Sequence, residues 1–143
     1  MTTIPLQNIQ VNVDAKSWKQ AIEIAGNVLV NNGQITKKYI EEIIQSVEEH
    51  GPYFVLLPRF ALAHAKPSDS VLSNSISLIT LKEPVSFGSV NDPVSVILCL
   101  ACTDKDSHVV SLEKIAGKLV TDNFVEMANS CETAEDLFNL INK

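Results

Sequence analysis

Hydrophobic positions first alternate and then recur at helical spacing over the first third of the chain. The stretch Ile9–Val13 alternates, which is typical of an edge strand. Apolar residues then recur every three or four positions and predict a helix over residues 17–33. A second helix is predicted next, with Thr36 as its cap and Gly51-Pro52 as its end. Its apolar face consists of Tyr39, Ile40, Ile43, Ile44 and Val47.

The pattern changes to continuous apolar runs in the middle of the chain. Residues 53–57, 76–81 and 94–102 form such runs, and residues 85–87 predict a short additional strand. Continuous apolar runs indicate strands that are buried on both faces, and therefore a sheet that is covered by helices.

Helical spacing returns in the last third of the chain. Ser107 is the expected cap of a helix over residues 108–120, and shorter helices are expected near residues 123–128 and 134–141. Helices, then strands, then helices predict an α/β fold in which a mixed sheet lies between helices in three layers. Because no linker, repeat or low-complexity segment interrupts the pattern, residues 1–143 are expected to form one domain.

Composition excludes some classes of function. The chain carries 17 acidic and 11 basic residues, for a net charge of -6, which argues against a nucleic-acid surface. No apolar run approaches the roughly 18–20 residues that span a bilayer. The first residues also lack the basic and apolar regions of a signal peptide. A cytoplasmic protein is therefore expected.

Cys99 and Cys102 have the CxxC spacing of some metal and redox sites. Within a strand, however, residues three apart point to opposite faces, so these thiols are not expected to share a metal or a disulfide. The third cysteine, Cys131, makes an odd count, which favours free thiols. The sequence therefore predicts two core cysteines and no metal or redox site at this CxxC.

His64 is the first candidate for chemistry. It lies in the segment PRFALAHAKP, between two predicted strands, where α/β sheets commonly place ligand sites. Imidazole is nucleophilic near neutral pH and is a good covalent carrier. Residues 60–63 are apolar, and partner proteins are expected to dock at the apolar rim around Phe60–Ala65. On spacing alone, a purely structural histidine is the alternative.

Two further residues could act with His64. His108 follows Ser107 and is expected in the first turn of a helix, where free N–H groups favour a phosphate; an exposed histidine at a helix start is the alternative. Arg59 is the only arginine, and its guanidinium group can bind two phosphate oxygens at once. An extended chain would hold it roughly 15 Å from His64, so a solvated charge or a partner contact is the alternative. His50 is interpreted as a partner of the helix dipole without chemistry.

Four stretches carry a resemblance to a known family. They are GPYFVLLPRFALAHAKP, SLITLKEPVSFG, NDPVSVILCLA and DKDSHVVSLEKIA, in this order. Together they resemble the enzyme IIA domains of the phosphotransferase system, in the mannitol/fructose class and closest to the ascorbate-type branch. The resemblance runs from Trp18 through the final helix and implies a single α/β domain with a mixed sheet between helices.

The resemblance also implies a function. His64 would accept a phosphoryl group on its ε-nitrogen from the phosphocarrier protein HPr and pass it to a cysteine of a IIB component, during sugar uptake by a membrane IIC component. His108 would help to hold the phosphoryl group, without metal or cofactor. Arg59 does not fall at the spacing of the phosphate-binding arginine of mannitol-type relatives, so it stays, with Tyr53, a candidate for a phosphate or partner contact. A regulatory phosphoprotein of the same fold and a non-catalytic binding module are the alternatives, and a homodimer is left open.

Overall fold

The fold is built on a four-stranded mixed sheet. The structure is a computed structural model that describes residues 4–119 and 123–142. In spatial order the strands are β1, β3, β4 and β2, with β3 and β4 antiparallel and both edge strands parallel to their neighbours. The strands are β1 (Ile9–Val13), β2 (Phe60–Ala63), β3 (Ser75–Val85) and β4 (Val94–Ala101).

Helices cover both faces of this sheet. One core packs α1 and α2 against residues such as Ala61 and Ile97, and the other packs α3, α4 and α5 against residues such as Leu62 and Leu98. The prediction of a three-layer α/β domain with a mixed sheet is confirmed. The helices are α1 (Trp18–Asn31), α2 (Lys37–His50), α3 (Lys105–Leu119), α4 (Phe124–Ser130) and α5 (Ala134–Ile141), with a short 3-10 helix at Leu6–Asn8.

Local signals set most of the helix boundaries. The Ser17 hydroxyl accepts the N–H of Gln20 and caps α1, as Thr133 does for α5 through Asp136. Gly51 ends α2 with a φ of 80°, a left-handed value that suits glycine. Gly51 thus ends α2 as the sequence predicts. Thr36 stands at the N-cap position of α2, but its side chain makes no capping bond, and its hydroxyl donates to the Ser70 carbonyl at 3.3 Å instead.

The predicted strand over residues 53–57 is wrong. These residues form a loop of turns between Gly51 and Pro58, in which Phe54 and Val55 are buried. The strand that enters the sheet is the next one, β2, and the N–H of Leu62 donates to the Phe54 carbonyl at 2.9 Å. A short apolar run does not distinguish a strand from a buried loop, and the prolines on both sides favour turns here.

Two other boundaries differ from the predictions. Residue 85 is the end of the long strand β3 rather than the start of a separate strand. Helix α3 begins at Lys105, and its cap is Asp104, whose carboxylate accepts the Ser107 N–H at 2.7 Å and the Ser107 hydroxyl at 3.0 Å. The expected cap, Ser107, therefore lies inside the helix. Its N–H group is itself capped, by the carboxylate three residues earlier. The predicted helix end at Val120 lies outside the described residues.

None of the helices described, within residues 4–119 and 123–142, is both long and apolar enough to cross a bilayer.

Candidate active site

His64 directly follows the last residue of β2, so the sheet fixes its backbone. β2 is parallel to β4, and Ala63 is in register with Cys99. The next residue, Ala65, donates its N–H to the buried Tyr39 hydroxyl at 3.0 Å, and that hydroxyl donates to the Leu100 carbonyl at 2.8 Å. The residue before His64 is thus held by pairing with β4, and the residue after it is held by a hydrogen bond to α2. His64 lies at a strand end that opens onto a loop, as the sequence predicts.

The imidazole of His64 has one nitrogen engaged. Its Nδ1 lies 2.7 Å from the carbonyl oxygen of Leu62. A carbonyl only accepts, so this nitrogen carries the proton in the neutral ring, and the lone pair is on Nε2. A ring that is held in this tautomer presents Nε2 as a nucleophile.

Aromatic rings surround the imidazole. The Tyr53 ring lies edge-on to it, with centroids 5.5 Å apart, and the Phe54 ring lies at 5.9 Å. The Tyr53 hydroxyl also donates to the His64 carbonyl at 2.8 Å and accepts from the Ser46 hydroxyl at 3.0 Å. Tyr53 therefore positions both the backbone and the ring of His64.

His108 faces His64 from the end of the first turn of α3. The two ring centroids are 5.2 Å apart. The Nδ1 atom of His108 is buried and has no hydrogen-bond partner among the residues that the structure describes. The structure thus brings together the two histidines that the sequence offers as candidates.

Both histidines favour the neutral form. Burial lowers the pKa of His64 from its ordinary value, the hydrogen bond to Leu62 opposes this shift, and the nearby His108 adds to it. Burial also lowers the pKa of His108. A neutral ring keeps its lone pair near pH 7, which a nucleophile requires.

These side chains line an open pocket of about 860 Å³. All three histidines of the chain contribute, because His50 lies at the end of α2 on the same side. The apolar residues that reach solvent here are Tyr53 and Val109, which are 41% and 46% exposed. None of the described residues that line the pocket is acidic. The remaining lining residues are Ser46, Ala65, Lys66, Pro67 and Lys105.

The docking surface expected around Phe60–Ala65 is not present. Residues 60–63 are enclosed by the sheet and its two covering layers, and Ala65 is buried as well. Arg59 is exposed at the opposite end of β2 from His64 and does not line the pocket. It occupies a turn with a φ of 68°, and its carbonyl accepts the N–H groups of Ser95 and Val96.

The pocket contains His50, to which the sequence assigned no chemistry. The signal that could have identified it is its place at the end of α2, three residues before Tyr53 and directly before the stretch that carries the family resemblance. Cys99 and Cys102 lie in opposite cores, as predicted. Within the described part of the chain, no group of three or more histidine, cysteine or acidic side chains could hold a metal ion.

Comparison with known proteins shows the family to which the chain belongs. The model of the family "Phosphoenolpyruvate-dependent sugar phosphotransferase system, EIIA 2" matches residues 3–143. The ascorbate-specific PTS system EIIA component of Shigella boydii serotype 4 is 30% identical over 139 residues, which are 96% of this chain and 90% of that protein.

Solved structures of similar proteins have the same fold. The solution structure of the mannitol-specific cryptic phosphotransferase enzyme IIA CmtB from Escherichia coli is 28% identical, with a TM-score of 0.88 over 97% of this chain and 95% of that one. The enzyme IIA for mannitol from Escherichia coli, solved in complex with phosphorylated enzyme IIB, has a TM-score of 0.84 at 19% identity, over 97% and 96% of the two chains. The chain belongs to the EIIA 2 family of the phosphoenolpyruvate-dependent sugar phosphotransferase system.

Proposed function

We propose that this protein is a phosphohistidine carrier. His64 accepts a phosphoryl group on Nε2 from phosphorylated HPr and passes it to a cysteine of a IIB component. The observation that carries the proposal is the 2.7 Å contact between Nδ1 of His64 and the Leu62 carbonyl, which leaves Nε2 free in a pocket lined by cationic side chains.

Each transfer exchanges one bond to phosphorus for another. In the first, the lone pair of Nε2 attacks phosphorus, the P–N bond of phosphorylated HPr breaks, and its electron pair returns to the donor ring. In the second, a thiolate of the IIB component attacks, the new P–N bond breaks, and its electron pair returns to His64. Such transfers need positioning and charge stabilisation and no cofactor.

The neighbouring residues have distinct roles. The carbonyl of Leu62 holds the ring and becomes a stronger partner as positive charge develops on the phosphorylated imidazole. His108, with its ring centroid 5.2 Å from that of His64, is placed to donate an N–H to a phosphoryl oxygen. Tyr53 fixes the His64 backbone through its hydroxyl. Arg59 lies at the other end of β2, and we assign it to a contact with a partner protein.

The comparisons support the choice of partner and sugar. A mannitol-type relative with the same fold has been solved in complex with phosphorylated IIB. The relative at 30% identity is named as ascorbate-specific. We therefore propose a cytoplasmic protein that acts with a IIB partner and a membrane IIC component, with ascorbate or a related sugar acid as the transported compound.

An intact-mass experiment tests the proposal. The protein is incubated with phosphoenolpyruvate, enzyme I and HPr, and the gain of one acid-labile phosphoryl group is measured. We expect the wild type to gain this group, His64→Gln to gain none, and His108→Gln to gain it more slowly by about tenfold or more. Equal labelling of His64→Gln would contradict the assignment.

A second experiment distinguishes a transport-coupled phosphocarrier from a regulatory phosphoprotein. The phosphorylated protein is mixed with the IIB component, and loss of the phosphoryl group from this chain is followed together with its gain by IIB. Transfer supports coupling to transport. A wild type that is labelled on His64 but transfers to no IIB component would favour a regulatory phosphoprotein instead.

A further inference from the structure

We infer that three side chains at the mouth of the pocket, His50, Lys66 and Lys105, form a binding site for the phosphoryl dianion carried by His64. We call them the cationic rim. This inference rests on the proposed function, and it adds the groups that neutralise the phosphoryl charge.

The cationic rim is assembled from three separate elements. His50 is the last residue of α2, Lys66 lies in the loop two residues after His64, and Lys105 is the first residue of α3. All three line the same pocket as His64 and His108. The chain as a whole has a charge of -6, so this local concentration of cations does not follow from the composition.

The chemistry of the pocket needs such groups. A phosphoryl group brings a charge of roughly -1.5 to -2 near pH 7. His64 and His108 are shifted by burial toward their neutral forms, so they supply a nucleophile and a hydrogen-bond donor but little fixed charge. Lysine ammonium groups carry three donors each on flexible stems and can follow the phosphoryl group during transfer. The cationic rim therefore supplies the positive charge that the interior of the pocket lacks.

His50 contributes a ring to the mouth of the pocket. Its Nε2 lies 3.8 Å from the carboxylate of Glu49, and its ring shares the pocket with Tyr53, Lys66, Lys105 and His108. An imidazole N–H donates readily to an oxygen of an anion. We therefore expect His50 to donate a ring N–H to the phosphoryl group.

Two phosphoryl donors distinguish a phosphate site from a docking surface. Lys66→Gln and Lys105→Gln are compared with the wild type for their rates of phosphorylation, once with phosphorylated HPr and once with the small donor phosphoramidate. Lys114→Gln is the matched control, because Lys114 is exposed on the same helix as Lys105 but does not line the pocket.

We expect Lys66→Gln and Lys105→Gln to lose about tenfold in rate with both donors, since each removes one charge-assisted hydrogen bond. Lys105→Arg should recover most of the loss, and Lys114→Gln should match the wild type. A loss seen only with phosphorylated HPr would overturn the inference and make these lysines part of a docking surface. Rates equal to the wild type with both donors would overturn it as well.

His50 is tested by the same two assays. We expect His50→Gln to be phosphorylated more slowly than the wild type with both donors, because it removes one ring N–H donor from the mouth of the pocket. Rates equal to the wild type, or a loss seen only with phosphorylated HPr, would overturn the place of His50 in the site. If the wild type takes a phosphoryl group from neither donor, the proposed function itself fails; if it is labelled and the rim variants behave like it, only the cationic rim fails.

Discussion

At the residue scale, the chemistry of this protein depends on how one imidazole is held. A histidine next to a strand end is common, but here a backbone carbonyl two residues earlier engages Nδ1, and a tyrosine hydroxyl engages the carbonyl of the same residue. These contacts use local atoms of β2 and the preceding loop. Nε2, which we propose as the nucleophile, is therefore oriented before any partner binds.

The pKa of His64 leads to a prediction for stability. Because burial lowers this pKa, the native state binds fewer protons than the unfolded state between the lowered value and the ordinary value of about 6.5. The free energy of unfolding should therefore fall as the pH falls through this window. Urea denaturation at pH 7.5 and pH 5.5 should show that the free energy of unfolding decreases less on acidification for His64→Gln than for the wild type. An equal decrease in the free energy of unfolding in both proteins would contradict the prediction.

Tyr39 and Tyr53 provide a matched pair of hydroxyl groups. The Tyr39 hydroxyl is buried and engages Leu100 and Ala65, whereas the Tyr53 side chain is partly exposed. Tyr39→Phe leaves two buried backbone groups without partners and should lower the free energy of unfolding by roughly 2 kcal/mol. Tyr53→Phe, whose lost partners can meet water, should cost less than about 1 kcal/mol. Equal costs in chemical denaturation would show that Tyr39 does not anchor the His64 loop.

At the scale of elements, the position of His108 depends on where α3 begins. Asp104 caps the helix, which begins at the next residue, Lys105. His108 is therefore at the end of the first turn and faces His64. A cap satisfies N–H groups that the helix itself leaves free. The cap of α3 is thus also a positioning device for the site.

The cap can be removed without touching the pocket. Asp104→Ala should speed hydrogen exchange in the first turn of α3 and slow phosphorylation of His64, while Asp104→Asn should preserve both because asparagine also caps. Thr133→Ala, which removes the cap of α5 away from the pocket, is the control. It should destabilise its own helix and leave phosphorylation unchanged. Similar phosphorylation rates in Asp104→Ala and the wild type would contradict the positioning role.

At the scale of the whole molecule, the sheet separates two cores and distributes the cysteines between them. Cys99 belongs to the core under α1 and α2, and Cys102 belongs to the core under α3 to α5. Burial raises the pKa of the Cys99 thiol to about 12. Cys131 is only partly buried. The three thiols should therefore differ in reactivity because of the layers in which they lie.

Thiol titration of the native protein tests this layering. A water-soluble disulfide reagent should modify Cys131 and leave Cys99 and Cys102 unmodified until the protein is unfolded. Cys131→Ser should then show no modification in the native state. Modification of a second thiol at a rate similar to that of Cys131 would mean that one of the two cores opens readily.

The sequence predicted the parts of the fold that depend on regular patterns. Amphipathic spacing identified α1 and α2, and the mainly apolar runs identified β3 and β4, because a strand buried on both faces has few polar positions. The loop over residues 53–57 was mistaken for a strand, since its apolar residues are buried by packing that is not local. The cap at Asp104 was missed because Ser107 offers the same chemistry three residues later.

The sequence by itself determined the family, the order of layers and the candidates His64 and His108, because these depend on residue types and spacing along the chain. Tertiary structure decided which nitrogen of His64 is engaged, that His50, Lys66 and Lys105 share its pocket, and that Arg59 does not. The physical reason is that the pocket lies where α2, the β2 end and the start of α3 meet. Contacts between elements that are distant in sequence depend on how the layers pack, and no local pattern encodes that arrangement.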